Sequence, residues 1–284
     1  MLNLSQKTDF PPFRAARIEQ AVILAAGLGS RLAQNEGDIK PLKTVGGLSL
    51  IQRNISLLAQ CGIKKVVVVT GYHAKELQKT LSQDCAMLPL QLKFAYNPQY
   101  RMSNGLSVLA AQTRIKGNFL LMMADHIFEP SMMQEAMRIT PPKAGAVLLV
   151  DYKLREIFDM NDATKVLVQN GRVCAISKTL EHYNAVDTGL FVCTPALMQA
   201  LRVAQSRSPI HDCSLSEGVA ALVETGRMFS HDIGNAHWQD VDDDYMLAQA
   251  ELMIQNQILP SAQTPSVQVQ RVQNPSWQVA ALGM

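Results

Sequence analysis

Apolar and polar positions along this chain switch between two periods, and that switching predicts an architecture. Ala21–Ala25 is a short apolar run that ends in small residues and glycines. From Ser49 to Gln60 the apolar residues Leu50, Ile51, Ile55 and Leu58 recur at helical spacing, with Ser49 placed to cap the first turn. Lys64-Lys65 then leads into Val66–Val69, an unbroken β-branched run of the kind found in strands buried on both faces of a parallel sheet. A helix is expected from Ala74, a strand near Gln91–Ala95, a helix near Leu106–Gln112 and a strand at Asn118–Met123. Strand, helix, strand repetition at this pitch predicts a doubly wound, Rossmann-like, mostly parallel α/β sheet.

From Ala144 the rhythm changes. Ala146–Asp151, Thr164–Gln169 and Arg172–Ser177 are strand-like, and the Asn170-Gly171 pair between the last two predicts a tight hairpin. A strand at Leu190–Cys193 follows, then helices at Ala196–Ala204 and Ser214–Val223 and a last helix from Asp243 to Gln255. The middle reads as an antiparallel, lid-like insertion carried on the same sheet. Three segments result: an N-terminal tail over residues 1–19, marked by Pro11-Pro12, a single domain over 20–255, and a C-terminal tail over 256–284. From Gln255 onward the chain has seven glutamines, three prolines and one charged residue, Arg271. Trp277 and Val279–Leu282 give that tail apolar residues to dock on a neighbour, and a homodimer is compatible with the sequence.

Charge and cysteine usage narrow the classes. A formal charge of +2 with no Lys/Arg cluster argues against nucleic acid, whose binders carry a basic stripe. The cysteines Cys61, Cys85, Cys174, Cys193 and Cys213 are scattered and form no Cys-x-x-Cys pair, which fits a reducing, cytoplasmic setting. The first residues lack the apolar core of a signal peptide. No stretch approaches the ~20 apolar residues of a membrane span, so membrane insertion is not expected.

The densest chemical signal is AVILAAGLGSRLAQNEGDIKPL, Ala21 to Leu42. Small residues at Ala25, Ala26, Gly27, Gly29 and Ser30 let the backbone approach a triphosphate, with successive N–H groups as donors. Arg31 and Lys40 add charge where negative charge accumulates as pyrophosphate leaves. A dinucleotide-binding loop needs a third glycine and an acid after the second strand, and Thr70-Gly71 supplies none. A P-loop needs Gly-Lys-Ser/Thr after its glycines. A glycine turn that merely closes a strand needs neither the arginine nor the lysine.

Ala25–Leu32 with Lys40-Pro41-Leu42 resembles the signature of the nucleotidyltransferases with a nucleotide-diphospho-sugar transferase fold. Members include sugar-phosphate, choline-phosphate and inositol-phosphate nucleotidyltransferases and the MobA-like molybdenum-cofactor guanylyltransferases. The resemblance spans roughly residues 20 to 255. It implies Mg²⁺-dependent transfer of a nucleoside monophosphate from an NTP to a small phosphorylated alcohol or sugar, with Arg31 and Lys40 on the β and γ phosphates. The loop between them departs from the commoner pattern by carrying Glu36 and Asp38, with Ile39 where a proline is frequent.

Met122-Met123-Ala124-Asp125-His126 places an acid at the carboxyl end of an apolar strand, the edge where ligands sit in open α/β sheets. Such a carboxylate suits Mg²⁺, which takes few protein oxygens. A simple strand-end or helix-capping acid is the alternative. The Asp125-His126 pair resembles the inositol-1-phosphate cytidylyltransferase branch. His126 is expected to orient or pack, since a phosphate nucleophile is already deprotonated near neutral pH. In His237-Trp238-Gln239-Asp240-Val241-Asp242-Asp243-Asp244, the Trp-x-Asp element resembles the one that supplies the family's second metal carboxylate. Asp240 matches it best and Asp242 is the nearest rival, while Asp243 and Asp244 read as acids at a helix start.

Resemblance also assigns the substrate side. Lys165 in Ala163-Thr164-Lys165, with Lys178, resembles the lysines that face the acceptor phosphate. Val186-Asp187-Thr188-Gly189 resembles the acceptor loop, bringing Asp187, Thr188 and Gly189 into the site. Asn97-Pro98 and Ser103-Asn104-Gly105-x-Ser107 resemble the loop holding base and ribose, with Asn104 either reading a base edge or capping a helix and Gly105 beside it. Together these favour CTP and inositol 1-phosphate. Choline phosphate, a phosphonate and a sugar 1-phosphate stay open as acceptors. Two other classes compete: a non-catalytic nucleotide-binding regulatory subunit and a metal-dependent glycosyltransferase on the same sheet.

Overall fold

The computed structural model describes residues 18–29 and 38–258. Ser30, Arg31, Glu36 and both predicted tails, apart from Ile18, Glu19 and residues 256–258, lie outside the described residues. Ile18 is buried and the Glu19 carbonyl accepts from Lys64 N, so these two residues join the body of the domain.

One nine-stranded sheet organises the chain. Its first half comprises β1 (Gln20–Ala25), β4 (Lys65–Thr70), β5 (Gln91–Tyr96) and β6 (Phe119–Met123), all parallel, in the order β5-β4-β1-β6. The order turns back at β1, because the chain steps outward through β4 and β5 and returns to add β6 on the other side. That switch point opens a crevice beyond the carboxyl ends of β1 and β6. The sheet continues through β11 (Ala185–Cys193), β8 (Ala146–Asp151), β12 (Met228–Asp232), β10 (Arg172–Ser177) and β9 (Lys165–Gln169). Only β11 and β10 run against the rest. The β9–β10 hairpin turns at Asn170-Gly171 with positive φ at both residues, as its sequence predicts. Because β9 also pairs with the start of β11, this hairpin curls back over the sheet's end rather than standing apart.

Helices cover both faces. On one face, α1 (Leu50–Gln60), α2 (Ala74–Asp84) and α4 (Pro130–Arg138) bury Ile51, Ile55, Leu58, Leu77, Leu81 and Met132. Ser49 accepts from Gln52 N at the start of α1, as expected. On the other face, α3 (Gly105–Ala110), α5 (Ala196–Arg207) and α6 (Leu215–Val223) pack through Leu106, Leu197, Leu201 and Leu222. The helix expected to reach Gln112 ends at Ala110 and continues as a 3-10 turn. The last helix, α7 (Asp244–Ile258), runs past Gln255. Among the described residues no helix is long and apolar enough to cross a membrane.

Two short ribbons are absent from the sequence-based scheme. β2 (Thr44–Val45) pairs with β3 (Leu48–Ser49), and β7 (His126–Phe128) pairs antiparallel with β13 (Trp238–Asp240). The second is decisive for the site. It ties the segment after β13 to the end of β6, and Val241 N donates to the Asp125 carbonyl beside it.

Candidate active site

The β7–β13 ladder sets His126 opposite Asp240 and Phe128 opposite Trp238. Side chains alternate along a strand, so Trp238, Asp240, His126 and Phe128 share one face of the ribbon. Ile127 is buried beneath, in a cluster with Val241 and residues of α7. Asn54 on α1 donates to the His126 carbonyl at 2.9 Å and braces the turn that carries Asp125.

Lys40 sits at the centre. It lies in a 3-10 turn, Lys40–Leu42, entered through buried Ile39 and started by Pro41, and its side chain is 7% exposed. Its Nζ contacts Asp125 Oδ2 at 2.6 Å and also donates to Asp242 Oδ1. Burial pushes the lysine pKa down, but the charges of Asp125 and Asp242 outweigh it and hold the ammonium above its ordinary value. Burial alone raises the Asp125 pKa, and Lys40 with His126 reverses that and holds it well below the usual carboxylate range. Burial raises the Asp240 pKa, and the nearby charges of His126 and Lys40 do not reverse it. Of the two acids left open by sequence, Asp242 shares the lysine with Asp125, while Asp240 faces the His126 ring. Gly29 lies against the Lys40 side chain, so a Cβ there would overlap it. Among the described residues nothing lies within 4 Å of a Cβ placed on Gly27, just past the end of β1, where a ligand can approach backbone. Ala25 and Ala26 are buried, and the Ala26 carbonyl accepts from Tyr72 N.

A cation fits this centre, since the Lys40 ammonium stands between two carboxylates contributed by distant segments. Among the described residues no group of three or more His, Cys, Asp or Glu side chains forms a metal cage. Mg²⁺ bound with substrate phosphates needs only one or two protein carboxylates.

Several residues expected at the substrate make contacts within the fold. The Thr188 hydroxyl donates to the Leu149 carbonyl at 2.8 Å and is fully buried, because it alternates to the opposite face from Asp187. Gly189, at φ +74, leaves room for the His126 ring; a Cβ there would lie 2.8 Å from His126 Cδ2. Asn104 accepts from Leu215 N at 2.8 Å, so it caps α6 across the fold and not the helix that follows it. Gly105 is pressed under the Cys213 carbonyl, where a Cβ would lie 2.5 Å away. The neighbouring loop is satisfied internally, with Asn97 donating to Ser107 and Ser103 donating to Asp212. Lys165 is buried with Nζ donating to the Asn161 and Lys178 carbonyls, and Lys178 pairs with Asp162 at 2.6 Å. Both lysines thus hold the insertion together.

Asp187 faces the centre. Its Oδ1 accepts from Gly189 N at 2.7 Å, and burial pushes its pKa up to about 6 despite that bond and the nearby His126. A carboxyl whose folded pKa is raised binds its proton more tightly when folded, so its ionisation costs stability. That cost appears as pH rises from the unfolded value near 4 through about 6. Asp187→Asn keeps the acceptor oxygen and removes the charge. It should raise stability at pH 7.5 by on the order of 1–2 kcal/mol and change little at pH 4, read as melting temperature at the two pH values. Equal shifts at both would contradict the assignment.

A feature outside the sequence-based set is a cavity of about 970 Å³ beside the ribbon, with Asp240 and Trp238 on its inner rim. Asp151, at the end of β8, is almost fully buried and accepts from Trp238 Nε1 at 3.0 Å and from Lys153 Nζ at 2.9 Å. Lys153 also donates to the Gly234 and Ala236 carbonyls. Arg155 lines the same cavity from an exposed position. An acid closing an apolar strand was visible at Asp151 as it was at Asp125; the difference lay in its unseen partner, Trp238.

This geometry has relatives. A family model described as the MobA-like NTP transferase domain matches residues 21–158. A protein named bifunctional IPC transferase and DIPP synthase from Rubrobacter xylanophilus is 33% identical over 236 residues, covering 82% of this chain and 51% of the relative. The chain spans about half the length of the bifunctional relatives it matches. A UTP–glucose-1-phosphate uridylyltransferase from Haloferax volcanii is 30% identical over 73% of this chain and 85% of its own length. Among solved structures, the inositol-1-phosphate CTP transferase from T. maritima superposes with a TM-score of 0.74 at 26% identity, over 84% of this chain and 96% of that one. The chain belongs to the nucleotidyltransferases with a MobA-like NTP transferase domain.

Proposed function

We propose that this chain transfers CMP from CTP to inositol 1-phosphate, forming CDP-inositol and pyrophosphate. The observation that carries the chemistry is Lys40 held between Asp125 and Asp242 at the switch point of the sheet, one cationic and two anionic groups where phosphates and a metal meet. The choice of substrates rests on the likeness to the T. maritima enzyme and the bifunctional relatives. Bound Mg²⁺ would neutralise the triphosphate and the charge developing between entering and leaving oxygens, held by Asp125 with Asp240 or Asp242. Lys40, with Arg31 outside the described residues, would draw the β and γ phosphates. No covalent intermediate is needed: an acceptor phosphate oxygen attacks the α-phosphorus in line, and the protein's share is positioning and electrostatics. The scattered free thiols fit work in a reducing cytoplasm, and a homodimer is compatible with it.

The cavity rimmed by Asp240 seats the acceptor in this reading. With Lys165 and Lys178 engaged inside the insertion and Lys153 tied to Asp151, Arg155 is, among the described residues lining the cavity, the side chain placed to meet an acceptor phosphate there. Arg155→Met should raise the acceptor KM ~10-fold or more while the CTP KM changes less than ~2-fold. An unchanged acceptor KM would remove Arg155 from the acceptor site. The function itself is tested by pyrophosphate release with CTP, UTP, GTP and dTTP against inositol 1-phosphate, choline phosphate and glucose 1-phosphate. Faster turnover of choline phosphate or glucose 1-phosphate than of inositol 1-phosphate would overturn the acceptor and leave the nucleotidyltransferase.

A further inference from the structure

Asp125 is held from both sides. Lys40 takes Oδ2, and Oδ1 lies 2.9 Å from His126 Nδ1. An ionised carboxylate only accepts, so the imidazole is the donor and its Nδ1 carries the hydrogen. The ring that donates is itself fixed. Trp238 stacks on it with centroids 5.6 Å apart and planes 19° from parallel, and Phe128 stacks at 6.0 Å. Gly189 is packed against its Cδ2–Nε2 edge. Trp238 is in turn tethered through Nε1 to buried Asp151, which Lys153 anchors. A continuous series of contacts therefore runs from the end of β8 to the end of β6.

We propose that His126 is a positioning residue for the carboxylate centre: it fixes Asp125 through Oδ1 so that Oδ2 points at the cation site, with Trp238 and Asp151 holding the ring in place. The inference rests on the function proposed above. Outer partners of this kind, which orient a ligand by hydrogen bonding without touching the metal, change metal affinity when lost. His126 needs no proton transfer for this role. Simple aromatic packing would produce the same stack, so the experiment must separate the donor from the ring.

Two substitutions do so. His126→Phe keeps a stacked ring and loses the donor. His126→Asn loses the ring and keeps an amide N–H near the place of Nδ1. The readout is Mn²⁺ affinity by electron paramagnetic resonance, measured on the full chain with CTP, alongside melting temperatures. His126→Phe should weaken Mn²⁺ binding ~10-fold or more, and His126→Asn should stay within ~3-fold of wild type. Trp238→Phe, which retains a ring but not the tether to Asp151, should weaken it ~3-fold. If His126→Phe binds Mn²⁺ as wild type does, or if His126→Asn is the weaker of the two, the ring only packs and the proposal is overturned. Should His126→Phe melt too low to assay, His126→Leu, which likewise has no donor, takes its place: a loss of ~10-fold or more supports the proposal, and binding as in wild type overturns it. Absence of Mn²⁺ binding by the wild type with any NTP would instead overturn the proposed function, and this inference with it.

Discussion

Asp125→Asn should abolish turnover, lowering kcat by ~10³-fold or more while the fold survives. Asp125 ends β6 at the switch point, and its carboxylate takes Lys40 on one oxygen and His126 on the other. An amide keeps the shape and loses the charge. The oxygen facing Nζ becomes a neutral acceptor or, flipped, an NH₂ pointed at an ammonium. Asp125 is 31% exposed at its side chain, so water relieves part of that conflict, and the stability loss should stay below ~2 kcal/mol. Circular dichroism and a melting curve close to wild type, with pyrophosphate release lost, is the expected pair of results. Activity within tenfold of wild type would remove Asp125 from the reaction centre.

Lys40→Met should have the second large effect, and a signature of its own. Removing the ammonium leaves Asp125 and Asp242 facing each other without their shared cation. Breaking such a pair at a buried site costs about 3–5 kcal/mol, and less here because both acids retain some contact with water. A divalent cation replaces the missing charge. The variant should therefore melt well below wild type in EDTA and regain much of the difference on adding Mg²⁺, whereas wild type should respond weakly without nucleotide. Turnover should fall ~10²-fold or more and the CTP KM should rise, because the ammonium meets the triphosphate in the ground state and meets more negative charge on the departing pyrophosphate in the transition state. Melting that ignores Mg²⁺, with only the acceptor KM altered, would mean the site is oriented the other way round.

The sheet was largely legible because its strands announce themselves. Val66–Val69 and Phe119–Met122 are apolar runs buried on both faces, and their ends carry the polar residues that make the crevice. β12 was missed since MFSHD is polar along most of its length and becomes a strand only by pairing with β8. β7 and β13 are too short for any period to show, yet they decide which acids meet Asp125. Lys40, Asp125 and Asp242 were legible as residue types at strand and turn boundaries; that one lysine joins both acids was not, since Asp242 lies 202 positions away. The partners of Asn104 and Gly105, Leu215 N and the Cys213 carbonyl, were not legible because they belong to a distant helix entry. Thr188 turns inward because β11 begins at Ala185 and not at Leu190 as its sequence suggests, and a strand that turns Asp187 toward the site turns the next residue away.

The most direct test of the account follows the phosphorus. Incubating the full chain with CTP, inositol 1-phosphate and Mg²⁺, and recording ³¹P NMR spectra over time, reports every phosphate at once. A coupled pair of diphosphate-ester resonances from CDP-inositol and the single line of pyrophosphate should grow together in equal amounts, while both substrates disappear at the same rate. CDP and orthophosphate appearing instead, or CTP consumed with inositol 1-phosphate untouched, would contradict nucleotidyl transfer to that acceptor.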